Sequence, residues 1–398
     1  MLYRLHNPIK NYAWGSKTSL TEMFGFTNNH HMHMPQAEVW MGAHPGGSST
    51  ITVNGNAILL NEWIARAPEK ILGERVYRNF GRLPYLLKLL AVEKPLSIQV
   101  HPEKTKALAG FLRENDQGIP LNAPHRNYKD ANHKPELVYT LTPFLAMNAF
   151  RPLDEVVSLF EQSGCTDLLE PLVSLARCPD AKHLRHFFRL VMTLNGENKH
   201  RVLAQLLENV TEKGHDENTC RAFRTVSSLA MDYPNDIGLF SPLFLNVIEL
   251  APGEAMFLNA ETPHTYLKGT GIEVMANSDN VLRAGLTSKY VDIEELLANT
   301  RCESIPAREL RTPPLCNKDI CHFPVPVADF RFSIITVNTG QHNQKIDSVE
   351  MLLCIEGKMT VTSGGQELTL QPGDCGLVAA SSKQYALTGK GKTVRISV

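Results

Sequence analysis

Three stretches of the chain hold side chains whose types and spacing suit metal chemistry. In LSIQVHPEK, residues 96–104, Gln99 and His101 stand two apart, so on a strand both project from one face within about 7 Å of each other. ANHKPELVY, residues 131–139, sets His133, Lys134 and Glu136 just before an apolar strand, and AETPHTYLKG brings His264 in after a turn. Imidazole nitrogen, amide oxygen and carboxylate make a donor set suited to a borderline ion such as Zn2+, with positions open for water or substrate. Without a thiolate, such a site reads as catalytic rather than structural. The bland alternative is a solvated polar face, and with 15 histidines in the chain chance clusters are easy to draw. The donors lie in three distant segments, so only a fold could assemble them.

The elements that must position them follow three textures. Residues 1–150 carry short apolar runs broken by Pro, Gly and Asn, as in AHPGGSSTITVNGNAI, and read as mainly β. Residues 151–236 read as a helical block, with apolar residues at helical spacing in LDEVVSLFEQSG, HLRHFFRLVMTL and KHRVLAQLLENVTEKG. Strand texture returns over 237–305, so the helical block looks inserted in one β domain, and 306–398 forms a further β region. A weak repeat links the two: ELAPGEAMFLNAETPH (249–264) aligns without gaps on TLQPGDCGLVAASSKQ (369–384). Each copy reads as strand, Pro-Gly-acidic turn, strand, which recurs in cupin-type double-sheet jelly rolls. The fold class expected is therefore mainly β, two cupin-type barrels plus an inserted helical domain. His264 in the first copy meets Gln384 in the second, so the C-terminal barrel is expected to lack metal ligands.

The 398 residues suffice for two or three domains. With 40 Lys and Arg against 41 Asp and Glu, the net charge of -1 marks no nucleic-acid groove or polybasic membrane surface. An anionic ligand must be met by a local basic cluster. The first residues show no signal-peptide core, and the most apolar stretch, LPYLLKLLAV, is interrupted by Lys88 and too short to span a bilayer, so a cytoplasmic location is expected. The eight cysteines form no CxxC pair and read mostly as buried thiols.

LLKLLAVEKPLSIQVHPEK, HKPELVY, ETPHTYLKGTGIEVMANSDNVLRAGLTSKYVD, YAWG and AEVWMGAHP resemble the signature segments of the type I mannose-6-phosphate isomerases, a zinc-dependent cupin family. The resemblance spans nearly the whole chain, in order and with the helical interlude. It implies one Zn2+ per chain, held by Gln99, His101, Glu136 and His264, and a catalytic arginine at Arg283. The substrate pair it implies is mannose 6-phosphate and fructose 6-phosphate, interconverted through a cis-enediolate by a monomer with no nucleic-acid or membrane partner. The place in metabolism would be GDP-mannose synthesis or mannose catabolism.

Within that reading Lys134 is the expected proton-transfer group, provided neighbouring cations disfavour its ammonium, and His133 the group for ring opening. Asp279 is expected to orient Arg283 or His133. Lys88, on one strand face with Leu86 and Leu90, must reach an anion and is assigned to the phosphate; Ser97 and Lys289 stand with it as substrate contacts. Arg283 offers a planar guanidinium to phosphate or enediolate, while Glu273, Tyr266 and Glu38 line or brace the pocket and Trp14 and Trp40 pack it. Two other readings compete. An Fe(II) cupin oxygenase commonly draws two histidines from an H-x-H segment, where this chain has Gln99; a sugar-phosphate-binding module would predict a damaged ligand set.

Overall fold

The run Tyr85–Val92 is buried at every position, as a strand covered on both faces must be. It belongs to a computed structural model that describes residues 1–27, 34–210 and 216–398. In chain order the strands that matter are β1 (Leu2–Leu5), β2 (Glu38–His44), β3 (Tyr85–Val92), β4 (Gln99–Val100), β5 (Glu136–Thr140) and β6 (Phe144–Phe150). Helices α1 (Leu153–Gln162), α2 (Thr166–Arg177), α3 (Ala181–Met192), α4 (Gly196–Asn209) and α5 (Glu217–Asp232) follow. The chain then returns to β7 (Leu245–Leu250), β8 (Ala255–Leu258), β9 (His264–Ala276) and β10 (Leu282–Arg283). Beyond these lie β11 (Arg331–Val337), β12 (Glu350–Ser363), β13 (Cys375–Val378) and β14 (Gln384–Ser397).

β9 organises the first barrel. It pairs antiparallel with β3, β4, β5 and β6, and this register sets Glu273 opposite Lys88, Met275 opposite Glu136, and His264 opposite both Gln99 and Asn148. Donors from segments far apart in sequence thus meet through one strand. The helices stack aromatic side chains against the barrel: Phe160 lies 4.8 Å from Phe187 and 4.7 Å from Phe244, ring centre to ring centre. Their buried faces repeat at helical spacing, as with Leu184, Phe187, Phe188 and Val191 on α3.

The repeat read in the sequence is a repeat of structure. Glu254 accepts from the Ala251 backbone N–H at 2.8 Å, and Asp374 accepts from that of Gln371 at 2.9 Å. Gly253 and Gly373 adopt φ of 91° and 90°, which a side chain would strain. The two barrels also share a core, in which Leu87, Leu89 and Val274 of the first join Met351, Leu353 and Ile396 of the second. β1 pairs with β13, so the chain's first strand completes the C-terminal sheet.

Three expectations need correction. The mainly β texture of 1–150 hides helices at Leu60–Arg66, Pro68–Leu72, Glu74–Phe80 and Lys104–Asp116. The first three are one to two turns long and punctuated by Pro68, Gly73 and Gly81, so their composition imitates loops. LSIQVHPEK holds only the two-residue β4, because Pro95 and Pro102 bracket it and Ser97 precedes the paired residues. Among the cysteines, 165, 302, 354 and 375 are buried, but Cys316 and Cys321 are joined in a disulfide across a hairpin, and Cys178 is exposed. No helix among the described residues is long and apolar enough to cross a membrane.

Candidate metal centre and adjoining cleft

His101, Glu136 and His264 bring their ligating atoms within 4.8 Å of one another, all three side chains buried. His101 Nε2 lies 3.5 Å from Glu136 Oε1, and His264 Nε2 lies 3.3 Å from Glu136 Oε2. Each ring is fixed from behind. His101 Nδ1 donates to the Asn280 carbonyl at 2.7 Å and His264 Nδ1 to the Thr262 carbonyl at 2.9 Å. Those bonds place the protons on Nδ1 and turn both Nε2 lone pairs toward the carboxylate, the arrangement in which imidazoles bind metals. His101 Nε2 is buried without a hydrogen-bond partner, which a cation would supply.

The electrostatics agree. Burial, reinforced by the Lys134 charge, pushes the His101 imidazole down to about 4, so it stays neutral and able to ligate. Burial works against ionisation of Glu136, yet the Lys134 charge beside it outweighs that and holds the carboxyl well below its ordinary range. Lys134 Nζ sits 3.1 Å from Glu136 Oε1. Gln99 lines the cleft beside this cluster, paired in register with His264 and Arg283. The residues present therefore fit a divalent ion with nitrogen and oxygen ligands.

A cleft of about 740 Å3 opens onto this centre. Ser97, Gln99, Lys134, Asp279, Arg283 and Lys289 all line it, as do Trp14, Glu38, Trp40 and Lys88. Among the described residues no carboxylate pairs with Arg283 or Lys289. Burial lowers the pKa of both, and the Arg283 charge adds to the effect on Lys289. Two cations side by side in a cleft, without a counter-ion from the chain, suit an anionic ligand.

Several expected partners are placed elsewhere. Lys88 meets its anion inside the protein: Nζ lies 2.9 Å from Glu273 Oε2 and 3.9 Å from Glu38 Oε1. Tyr266 donates its hydroxyl to the other Glu273 oxygen at 2.9 Å, and Trp40 Nε1 donates to Glu38. Flanked by two carboxylates, Lys88 stays an ammonium despite its burial, which alone would lower its pKa. His133 is not on the cleft wall; its Nε2 lies 3.0 Å from Asp329 of the C-terminal barrel. Asp279 approaches neither Arg283 nor His133, and lies 3.5 Å from His44 Nε2.

Three contributors receive no role from the sequence, although Asn280 and His44 lie within segments that carry the family resemblance. Asn280 grips the segment before His133, accepting from Lys129 N–H and donating to the carbonyls of Asp130 and Asn132. Asp236, just after α5, accepts from the backbone N–H of Gly238, Leu286 and Thr287 and so pins the segment between Arg283 and Lys289. Leu286 is held there at a φ of 52°. His44, on the cleft wall, is the third.

Comparison with known proteins agrees along the chain. Residues 2–153 match the catalytic domain of phosphomannose isomerase type I, residues 161–245 its helical insertion domain, and residues 319–398 the cupin domain of mannose-6-phosphate isomerase. The chain is 45% identical to the mannose-6-phosphate isomerase of Escherichia coli (strain K12) over 396 residues, covering 99% of each. With the human mannose-6-phosphate isomerase it shares 33% identity, covering 91% of this chain and 89% of the other. A crystal structure of mannose 6-phosphate isomerase from Salmonella typhimurium bound to fructose 6-phosphate and zinc superposes with a TM-score of 0.93. That structure is 45% identical and covers 100% of this chain and 99% of its own.

Proposed function

The chain belongs to the type I phosphomannose isomerase family, and on that premise we propose that it interconverts D-mannose 6-phosphate and D-fructose 6-phosphate with one zinc ion per chain. The observation that carries the reading is the buried cluster of His101, Glu136 and His264, with both Nε2 lone pairs turned inward. Gln99 completes the ligand set from β4. The catalytic barrel is built from 1–150, less β1, which joins the C-terminal sheet, and from 237–305; the helices of 151–236 wall its cleft, and 306–398 supports it from behind. The protein works as a cytoplasmic monomer, linking fructose 6-phosphate to GDP-mannose synthesis or mannose catabolism.

When bound, the zinc ion supplies a fixed positive charge where negative charge develops on the oxygens at C1 and C2. The protein does the rest. Arg283 and Lys289, which meet no carboxylate among the described residues, take the phosphate with the Ser97 hydroxyl beside them. Lys134 moves the proton: it leaves C2 of the aldose and arrives at C1, through a cis-enediolate. Its ammonium end, 3.1 Å from Glu136 Oε1, lies next to the metal centre. Lys88 lines the wall against which the sugar rests, braced from behind by Glu273 and Tyr266, and Asp279 stands on the cleft wall beside His44.

The test is turnover of mannose 6-phosphate to fructose 6-phosphate by purified protein, before chelation, after it, and after zinc is restored. Activity is expected to vanish and return with the metal, and to be crippled in Gln99→Ala and Arg283→Ala. A fully metallated wild-type chain without turnover would leave a sugar-phosphate-binding module instead.

A further inference from the structure

His44 ends β2 on the cleft wall, and its side chain is only 4% exposed. The backbone N–H of Gly46 donates to its Nδ1 at 3.0 Å, which puts the ring proton on Nε2. A backbone N–H cannot become an acceptor, so protonating Nδ1 as well would set two donors against each other. A Cβ at position 46 would lie 3.2 Å from Nδ1, so glycine permits the approach. Trp40 packs its ring edge-on to the imidazole, with centres 5.0 Å apart, and fixes its plane.

The surroundings also keep the ring neutral. Burial is the main influence lowering the His44 pKa; the Asp279 and Asp130 charges oppose it, and those of Lys88 and Lys134 reinforce it. The Nε2–H faces the Asp279 carboxylate at 3.5 Å, longer than a sound hydrogen bond, and the Asp279 side chain is 55% exposed. The donor is thus oriented but not saturated.

We propose that His44 is a further catalytic residue, an uncharged imidazole donating Nε2–H to the sugar oxygen at C1 or C2 on which negative charge builds. The inference rests on the isomerase reading above. A neutral imidazole suits enediolate chemistry because its hydrogen bond strengthens as the oxygen gains charge. It also adds no further cation to a cleft that already holds Lys134, Arg283 and Lys289.

The experiment uses zinc-loaded protein labelled with 15N in histidine, with His44→Gln assigning the signal, followed by NMR between about pH 6 and about pH 8. The ring is expected to keep its neutral, Nε2-protonated signature throughout, and Nε2–H to shift when fructose 6-phosphate is added. His44→Ala is expected to lose roughly 10²-fold in kcat with KM and zinc content little changed. His44→Gln, whose amide N–H reaches the same place, is expected to recover part of that loss. An imidazolium signature, an Nε2 signal indifferent to the sugar phosphate, or full turnover by His44→Ala overturns the proposal. If His44→Ala does not fold, the wild-type spectra decide alone. Wild-type protein that binds zinc but shows no turnover sinks the isomerase reading itself, and its own assay tells that failure apart.

Discussion

Lys88 shows how a single residue's position can be read correctly and its partner wrongly. An ammonium inside LPYLLKLL demands an anion, and the one it finds is the carboxylate of Glu273, 185 residues away in sequence and directly opposite it across β3 and β9. No local pattern announces such a partner; pairing register decides it. Lys88→Met leaves Glu273 and Glu38 buried without their cation, and a loss of about 3–5 kcal/mol is expected in denaturant unfolding. The folded-state pKa of Lys88 is raised above its ordinary 10.5, so its contribution is complete below that value and fades only as pH climbs through the folded pKa. Denaturant unfolding of the wild type should therefore show no loss of stability through Lys88 deprotonation across neutral pH; a steep loss from that cause there would contradict the ion-pair assignment. The cluster of His101, Glu136 and His264 was legible because each sits in a long, distinctive segment. His44 lies in such a segment too, AEVWMGAHP, but its role was not legible, because what makes it a neutral donor is one backbone N–H two residues on.

The elements divide in the same way. α1, α3 and α4 announced themselves through apolar periodicity and carried the reading of the whole block as helical, and both copies of the Pro-Gly-acidic turn could be read from their residues. The short helices between 60 and 80 could not, since one or two turns offer too few positions for a period to emerge. Asp236 was equally hidden: its carboxylate serves a loop 50 residues downstream, joining the end of the helical block to the segment between Arg283 and Lys289. Removing it in Asp236→Ala strands backbone donors at a cost of about 1–3 kcal/mol each, and Leu286 can then leave its positive φ. The expected result is a KM for mannose 6-phosphate raised roughly tenfold, with kcat changed much less, read from steady-state kinetics. An unaltered KM would show that the segment between Arg283 and Lys289 is ordered by other contacts.

On the scale of the whole molecule, the second barrel is a working part of the first. Its core side chains interleave with those of the catalytic barrel, β1 closes its sheet, and Asp329 reaches His133 beside the ligand segment. Leu353→Ala, though confined to the C-terminal barrel, is expected to cost about 2–5 kcal/mol and to lower one shared unfolding transition in which zinc release and loss of barrel structure coincide. Two separate transitions would mean the barrels stand alone. The most direct measurement is a titration of metal-free protein with Zn2+, following mannose 6-phosphate isomerisation against equivalents added. Activity that rises from nothing and stops at one equivalent per chain is the predicted result; turnover in the metal-free protein, or none at saturation, would contradict the account.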